Sequence, residues 1–561
     1  MFALRIALVC GLAVAATATA AKPGETVQEI TALPGWPNNT ALPSRMFSGY
    51  TYAGTPPNGE GDMYAHWLLV ESESDPANDP LVIWYQGGPG ASSLYGLLVE
   101  FGPLLLNQDS LDNDEYRRTG IPQLVRNPYS WNRKANLLVV DNPPPVGFGY
   151  CTPAGPAGLG TSCGDWNDEL VAKANQIVLT RFVEQMPAYR QRSTFITGES
   201  YAGVYVPVIV RALLADPGNV SLSGFAVGDG CLGTEVLCGP VGGPFWNVEF
   251  MHGHGQFSNR LYRQITNTCT TEELKSGHIS AACQPLLTQM TQEIGSYYSY
   301  NLYDTCYAQN IFDPLHSSRS YWSRVPPLAS PSTVRFASAS LVHHDTTATF
   351  SSLVCHTLAG GCRRFIPTKV PAAIHATLTP SFMPYLLANN ASGDNGAGFN
   401  YSLSEPNLLP FYKELIENKK LRMLVYNGDT GLWTAGLNSQ HTTDRHSSGR
   451  RRKWLQTTWP RHGAMPCFNR YAMCIDPSIN SFMTQDRYTE YFDAQGLGLT
   501  ETWRPWTIDG KQNMGGYVFR YGDNWQFATI RGSGHMVCHH HVPICSLSEM
   551  HADLALSYGC G

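Results

Sequence analysis

The chain has 561 residues, 43% of them hydrophobic and 15% charged, which indicates a globular protein with a large core rather than a disordered one. A formal net charge of −6 gives no sign of a nucleic-acid-binding surface. The length fits one large α/β domain with insertions.

The first 21 residues have the features of a secretory signal peptide. Arg5 supplies the positive charge, residues 6–16 form a short apolar core, and Ala18-Thr19-Ala20 is a small-residue cleavage site. That core is too short to cross a bilayer, and we find no later membrane segment. We therefore expect an extracellular, vacuolar or lysosomal protein without a membrane or nucleic-acid partner.

The cysteines and the sequons agree with a secretory route. Loss of Cys10 with the signal peptide leaves fourteen of the fifteen cysteines, an even number compatible with seven disulfides. Asn-x-Ser/Thr sequons, which have meaning only in a secretory compartment, begin at four positions: Asn38, Asn219, Asn390 and Asn400.

Apolar runs predict the strands of the core, and helical spacing predicts two helices between them. The predicted strands are an antiparallel pair at Met46–Ala53 and Met63–Ser72, followed by Leu81–Tyr85, Asn136–Val140, Thr194–Thr197, Gly224–Gly230, Leu424–Asn427 and Phe527–Arg531. One helix is predicted to be capped by Asp165 and stopped by Pro187, with Leu170, Ala174, Ile177 and Val178 on one face. The other spans Gly203–Leu214.

The alternation of strands and helices stops at Cys231 and resumes near residue 418. The intervening stretch contains seven cysteines and a Ser/Thr-rich run over residues 330–352. We interpret 231–418 as a disulfide-rich insertion that caps the sheet, between core segments 22–230 and 419–561. A decorative surface insertion is the alternative.

The segment Gly198-Glu199-Ser200-Tyr201-Ala202 lies between a predicted strand and a predicted helix. Its Gly-x-Ser-x-small pattern is typical of a nucleophile elbow, where small residues permit the strained turn that exposes the serine Oγ. By itself the pattern also fits an ordinary turn. With the following Gly-Val-Tyr-Val-Pro, however, it closely resembles the nucleophile segment of the serine carboxypeptidase family.

Two further segments extend the resemblance, which runs from about Leu42 to the C-terminus. They are the glycine-rich stretch Gln86–Ser93 with its continuation Leu97–Pro103, and the strand end Asp141–Tyr150. The resemblance implies an α/β-hydrolase fold, with a mostly parallel central sheet flanked by helices and a disulfide-rich cap insertion. It also implies a serine hydrolase without metal or cofactor.

The order of elbow, acid-bearing loop and histidine is that of α/β-hydrolases, and it places Ser200 as nucleophile and His535 as its base. The expected oxyanion donors are the backbone N–H groups of Gly88 and Tyr201. In the family an Asn–Gly pair and two glutamic acids bind a peptide's free α-carboxylate. The matching positions in this chain are Gln86, Gly87, Glu100 and Glu199.

Several positions depart from the family pattern. Gln86 replaces an asparagine, and Ala91 replaces a cysteine, so one disulfide of the relatives cannot form. Gly431 stands where the family has the aspartate that orients the histidine. Asp429, two residues earlier, is the candidate replacement, and Asp444 is a weaker one. Loss of such an acid costs on the order of 10⁴ in kcat in serine hydrolases.

We therefore expect a secreted serine-type carboxypeptidase that releases C-terminal amino acids from peptides through a Ser200 acyl-enzyme. Gly431 at the usual acid position predicts that its activity is weakened. Packed carboxyl groups have raised pKa values, so we expect it to favour acidic pH. The alternatives are an acyltransferase that uses the same serine, and a catalytically impaired peptide-binding relative. The run His539-His540-His541 is not expected to bind a metal, because adjacent histidines diverge along the backbone.

Overall fold

The computed structural model describes residues 21–57, 59–107, 109–152, 163–238, 243–295, 297, 300–303, 401–430, 480–508 and 512–537. Several sequence predictions lie outside these residues: most of the signal peptide, Asn390, Asn400, Gly431, Asp444 and residues 538–541. Within the described part of the chain, no helix combines the length and apolarity needed to cross a bilayer.

A twelve-stranded mixed sheet forms the centre of the described structure. In chain order, the strands of the described residues are β1 (Thr26–Ile30), β2 (Met46–Gly54), β3 (Met63–Val70), β4 (Leu81–Tyr85), β5 (Leu104–Leu105), β6 (Val125–Arg126), β7 (Asn136–Val140), β8 (Tyr150–Cys151), β9 (Trp166–Asn167), β10 (Thr194–Glu199), β11 (Leu222–Gly228), β12 (Tyr401–Ser402), β13 (Arg422–Gly428), β14 (Leu499–Thr507), β15 (Met514–Tyr521) and β16 (Trp525–Ile530). Strands β5 and β6 pair with each other, as do β9 and β12. The remaining strands form the large sheet.

The middle of the sheet is parallel and its two margins are antiparallel. The strand order is β1-β2-β3-β7-β4-β10-β11-β13-β16-β15-β14, and all neighbours from β7 to β16 run parallel. Their C-terminal ends therefore meet at one edge of the sheet, which is where sites form in parallel α/β sheets. We call it the C-terminal edge.

Helices cover the sheet and build the cap segment. They are α1 (Asp114–Thr119), α2 (Asp168–Gln185), α3 (Ala202–Ala215), α4 (Phe245–Gly253), α5 (Asn259–Thr268), α6 (Thr271–Ser276), α7 (Gln284–Ile294), α8 (Leu409–Asn418) and α9 (Ser481–Ala494). Helices α2, α3, α8 and α9 contribute to one large core with the sheet. A second core on the sheet contains Trp84, Phe101 and Trp131.

The described part of the cap segment has a small core of its own, formed by helices α4 to α7. The disulfide Cys269–Cys283 ties the end of α5 to the start of α7. All six cysteines of the described residues are paired, the other bridges being Cys151–Cys163 and Cys231–Cys238. The boundaries of the cap at residues 231 and 418 stay a prediction.

The strands predicted from apolar runs are confirmed, and two of them, Leu81–Tyr85 and Asn136–Val140, match to the residue. The predicted cap of α2 is wrong. Asn167, not Asp165, accepts the hydrogen bond from the Leu170 N–H, because the chain at 166–167 forms strand β9 and the helix begins only after it. The sequence prediction also missed β1, the β14–β15 hairpin and α9.

Candidate active site

Strand β10 ends at the residue before Ser200, and the turn that follows is strained. Ser200 has φ of 62°, in the left-handed region that a non-glycine residue rarely adopts. Its N–H donates to the Gly228 carbonyl at 2.9 Å, and its carbonyl accepts from the N–H groups of Gly203 and Cys231 at 2.9 and 3.0 Å. Backbone hydrogen bonds from β11 and α3 thus hold the serine in this conformation.

The glycine-rich loop after β4 approaches this turn very closely. A Cβ at Gly87 would lie 2.6 Å from the Tyr201 nitrogen and 2.8 Å from the Ser200 Cβ, so only glycine fits there. Gly88 has φ of 123° and precedes a cis-proline. The loop that carries Gly88 and the backbone N–H of Tyr201 therefore lie side by side at the C-terminal edge.

Gln86, Glu100 and Glu199 form a buried polar cluster beside the elbow. The Gln86 amide Nε2 donates to Glu199 Oε1 at 2.6 Å and lies 3.5 Å from Glu100 Oε1, while the Trp84 indole donates to Gln86 Oε1 at 2.9 Å. The longer side chain of Gln86 thus reaches both glutamic acids. The tryptophan fixes which end of the amide faces them.

Burial makes both glutamic acids weak acids. Loss of solvation raises the pKa of Glu100 to about 8, and hydrogen bonds from Glu199 and Gln86 oppose this only in part. The pKa of Glu199 is raised well above its usual value, first by burial and then by the charges of Glu100 and Asp229. Both side chains are therefore neutral at acidic pH and can donate a hydrogen bond.

Two aspartates follow the neighbouring strands β11 and β13. Asp229 is fully buried, and its carboxyl accepts from the Asn427 side chain at 3.0 Å and the Gly428 N–H at 3.1 Å. Burial raises the pKa of Asp229 well above its usual value. The Asp429 carboxylate accepts from the Gly532 N–H at 2.6 Å, three residues before His535.

His535 lies in the loop after β16, and residues of the cap segment support it. Its N–H donates to the Tyr300 carbonyl at 2.6 Å, and its ring packs edge-on against the Tyr300 ring. Burial lowers the pKa of His535 to about 4, so the imidazole is neutral above that pH. A neutral imidazole is the form that can accept a proton from a serine.

The nine predicted site residues thus lie at the C-terminal end of strand β10, in loops at the C-terminal edge, or in the π-helical turn Gly96–Phe101 beside it. The model of the serine carboxypeptidase family matches residues 34–474 and 471–548 of this chain. The chain belongs to the serine carboxypeptidase family. This confirms the relationship expected from the elbow and its neighbouring motifs.

Individual relatives agree with this assignment. The chain is 28% identical to the serine carboxypeptidase ctsa-4.1 of Caenorhabditis elegans over 88% of its own length and 86% of the worm protein. It is 33% identical to the lysosomal protective protein of Mus musculus, over 50% of its own length and 52% of the mouse protein. The crystal structure of Kex1(delta)p, a prohormone-processing carboxypeptidase from Saccharomyces cerevisiae, aligns over 94% of this chain and 95% of that chain, with a TM-score of 0.53 and 16% identity. The α/β-hydrolase fold is therefore confirmed.

Sequence reasoning missed one buried carboxylate that supports the elbow of this serine carboxypeptidase. Asp168 Oδ1 accepts from the hydroxyls of Tyr201 and Tyr401 at 2.7 and 2.8 Å, and Oδ2 accepts from the N–H groups of Ser404 and Glu405 at 2.6 and 2.7 Å. Asp168 thus ties Tyr201, the residue after the nucleophile, to a chain segment that lies more than 230 positions after Asp168 itself. No local sequence pattern indicates such a contact.

Asp229 was also given no role from the sequence, although a signal for it exists. It directly follows a buried parallel strand, which is the same position that singled out Asp429 after β13. Applied to every strand of the sheet, that rule also selects Asp141 after β7.

Proposed function

We propose that this serine carboxypeptidase releases C-terminal amino acids from peptides through an acyl-enzyme on Ser200. The observation that carries the proposal is the buried pair Glu100 and Glu199 with Gln86. Glu199 directly precedes the strained Ser200, so a carboxylate recognised by this cluster puts the last peptide bond within reach of the serine. Such positioning is a large part of enzymatic rate enhancement.

The carboxylate-binding step depends on neutral glutamic acids. A peptide carboxylate can be held by a carboxyl group only if that group keeps its proton and donates it. Glu100 stays neutral below a pH of about 8, and its Oε2 is buried without a hydrogen-bond partner among the described residues. We assign this oxygen, together with the Gly87 backbone, to the terminal carboxylate of the substrate.

The acyl-transfer step uses the elbow and the histidine loop. His535 accepts the proton of Ser200 Oγ as the oxygen attacks the scissile carbonyl, and then delivers it to the departing amine. The N–H groups of Gly88 and Tyr201 stabilise the oxyanion. A water molecule, activated by His535 in the same way, then cleaves the ester and regenerates Ser200.

We further propose that an acidic residue orients His535 less effectively in this enzyme than in its relatives. The family's histidine-orienting aspartate is replaced by Gly431. The Asp429 carboxylate is engaged by the Gly532 N–H, which supports a role in holding the loop that leads to His535. Asp429 thus supplies negative charge near the site and shapes the histidine loop, without the full effect of the family's aspartate.

The proposed compartment is the secretory pathway, with the lumen of an acidic organelle as the favoured destination. The disulfides of the described residues form in an oxidising environment. The exposed sequon at Asn219 is available for glycosylation. The raised pKa values of Glu100 and Glu199 keep both groups neutral in the lumen of an acidic organelle.

Labelling with a fluorophosphonate at pH 5 tests the catalytic part of the proposal. The reagent reacts quickly only with an activated serine, so we expect the wild-type protein to be labelled and the Ser200→Ala and His535→Ala variants not to be. Labelling of Ser200→Ala would contradict the assignment. Absence of wild-type labelling would favour the peptide-binding alternative. In a separate assay with an added alcohol, transfer of the acyl group to the alcohol in preference to water would favour the acyltransferase.

A further inference from the structure

The glycine-rich loop at Gln86–Ser93 has two hydrogen bonds of its own, from the Ala91 N–H to the Gly87 carbonyl and from the Gln86 N–H to Ser93 Oγ, and needs further support. Gly88 and Gly90 both have positive φ, and glycines make a chain segment flexible because they permit many backbone conformations. An oxyanion donor is useful only if it is held in place before the charge develops. Some other part of the protein must therefore fix the position of Gly88.

A buried chain of side-chain hydrogen bonds leads from this loop into the sheet. Ser92 Oγ donates to Asp141 Oδ1 at 2.5 Å, and His66 Nδ1 lies 2.9 Å from Asp141 Oδ2. At the other ring nitrogen, His66 Nε2 lies 2.9 Å from Ser48 Oγ. All four side chains are at most 5% exposed. We call this set, Ser48, His66, Asp141 and Ser92, the loop relay.

The two ends of the loop relay differ in rigidity. Ser48 lies on β2 and His66 on β3, two strands that pair in continuous register from Met46 to Tyr52, whereas Ser92 lies in the glycine-rich loop. Asp141 joins the two ends and is itself fixed by the Phe148 N–H at 3.1 Å. A carboxylate with three donors around it has little freedom to move. These hydrogen bonds therefore fix Ser92, and with it the glycine-rich loop, relative to strands β2 and β3.

The loop relay contains the same three residue types, in the same order of contacts, as a hydrolase triad. Unlike Ser200, which lies in a strained turn at the C-terminal edge, Ser48 lies within the paired strand β2, so we assign it no catalytic role. The neutral tautomer with Nδ1–H donating to Asp141 leaves Nε2 to accept from the Ser48 hydroxyl, so both ring nitrogens are satisfied. The arrangement is suited to holding a position.

We propose that His66 and Ser92 are positioning residues that hold the oxyanion loop of this enzyme through Asp141. The inference rests on the proposed acylation of Ser200 and on the assignment of Gly88 as an oxyanion donor. Its consequence is that changes at His66, on a strand of the sheet, affect the transition state at Ser200 more strongly than they affect substrate binding by Glu100 and Glu199.

Steady-state kinetics of four variants test the catalytic consequence. We expect Ser92→Ala and His66→Leu to lower kcat at least tenfold with a smaller change in KM, because the oxyanion at Gly88 forms only in the transition state, whereas Gly87 of the same loop also contacts the substrate carboxylate. His66→Asn retains a donor near the position of Nδ1 and should recover most of the kcat lost in His66→Leu. Thr51→Val is the control, since it removes a buried hydroxyl on β2 that bonds Trp67 and Gln185 and has no link to the loop.

Two further measurements keep the proposal testable if a variant is unstable or if the wild type proves inactive. Hydrogen exchange over residues 87–93 should rise in Ser92→Ala and His66→Leu and not in Thr51→Val, whether or not the protein hydrolyses peptides. The double variant Ser92→Ala/His66→Leu should lose no more kcat than Ser92→Ala alone, because both act through Asp141. Unchanged exchange in the loop, or losses in kcat that multiply in the double variant, would overturn the proposal.

Discussion

The preference for a free C-terminal carboxylate should depend on pH in a way set by Glu100. The experiment compares two peptides that differ only in their C-terminal group, a carboxylate in one and a carboxamide in the other. The hydrolysis of each peptide is measured over a range of pH. A hydrogen bond donated to a charged group is worth about 1.5–3 kcal/mol, which corresponds to a roughly 10–150-fold preference for the free acid. We expect this preference in full at pH 5, where Glu100 is neutral.

The preference should then fall as Glu100 ionises. With a pKa of about 8, the neutral fraction of Glu100 drops about tenfold per pH unit above that value, and its charge then repels the substrate carboxylate. Below pH 4 both peptides should lose kcat/KM together, because His535, with a pKa of about 4, becomes protonated. The assay is kcat/KM for each peptide from pH 3.5 to 9.5.

The Glu100→Gln variant is the matched control, because glutamine keeps the shape and cannot ionise. Its ratio of free-acid to amide kcat/KM should fall less steeply with pH than the wild-type ratio, because only Glu199 of the pair can still ionise. A wild-type ratio that stays constant from pH 5 to 9 would refute the assignment of Glu100 to the terminal carboxylate.

Three further predictions concern stability and the acid position. Glu199 keeps its proton in the folded state and releases it on unfolding above its ordinary pKa, so stability should fall as pH rises above that ordinary value. In urea titrations, Glu199→Gln should lessen that fall by up to about 1.4 kcal/mol per pH unit. Gly431→Asp should raise kcat by several orders of magnitude, given the ~10⁴ effect of the orienting acid, while Asp429→Asn should lower kcat less than tenfold, because its amide oxygen still accepts from the Gly532 N–H. A large loss of peptide hydrolysis in Asp429→Asn with little gain in Gly431→Asp would mean that Asp429 orients His535. Asp168→Ala should lower the free energy of unfolding by about 3–5 kcal/mol, since it leaves two buried tyrosine hydroxyls and two N–H groups without an acceptor; a loss below about 1 kcal/mol in urea unfolding would contradict this.

The sequence predicted the parallel centre of the sheet well, because its strands are continuous apolar runs. Leu81–Tyr85 and Asn136–Val140 are entirely buried, so their pattern is unambiguous. The β14–β15 hairpin at the sheet margin was missed for the opposite reason. Strand β14 is largely exposed and contains Pro505, and its pairing with β15 shifts register three times.

The parts of the site that the sequence could not predict depend on contacts between distant segments. The cap of α2 moved to Asn167 because residues 166–167 pair with 401–402. The loop relay joins four segments, and neither His66 nor Ser48 belongs to a motif with chemical meaning. Residues such as Glu199 and Ser200 could be predicted from the sequence, because the chemistry of the elbow restricts both their identity and their spacing.

The most direct test of the proposed function is mass spectrometry of a peptide incubated with the purified protein at pH 5. We expect a ladder of products that lack one, two and more residues from the C-terminus, with an intact N-terminus. The Ser200→Ala variant should leave the peptide unchanged while keeping the same unfolding temperature. Internal cleavage, or an unchanged ladder with Ser200→Ala, would contradict Ser200-dependent release of C-terminal amino acids.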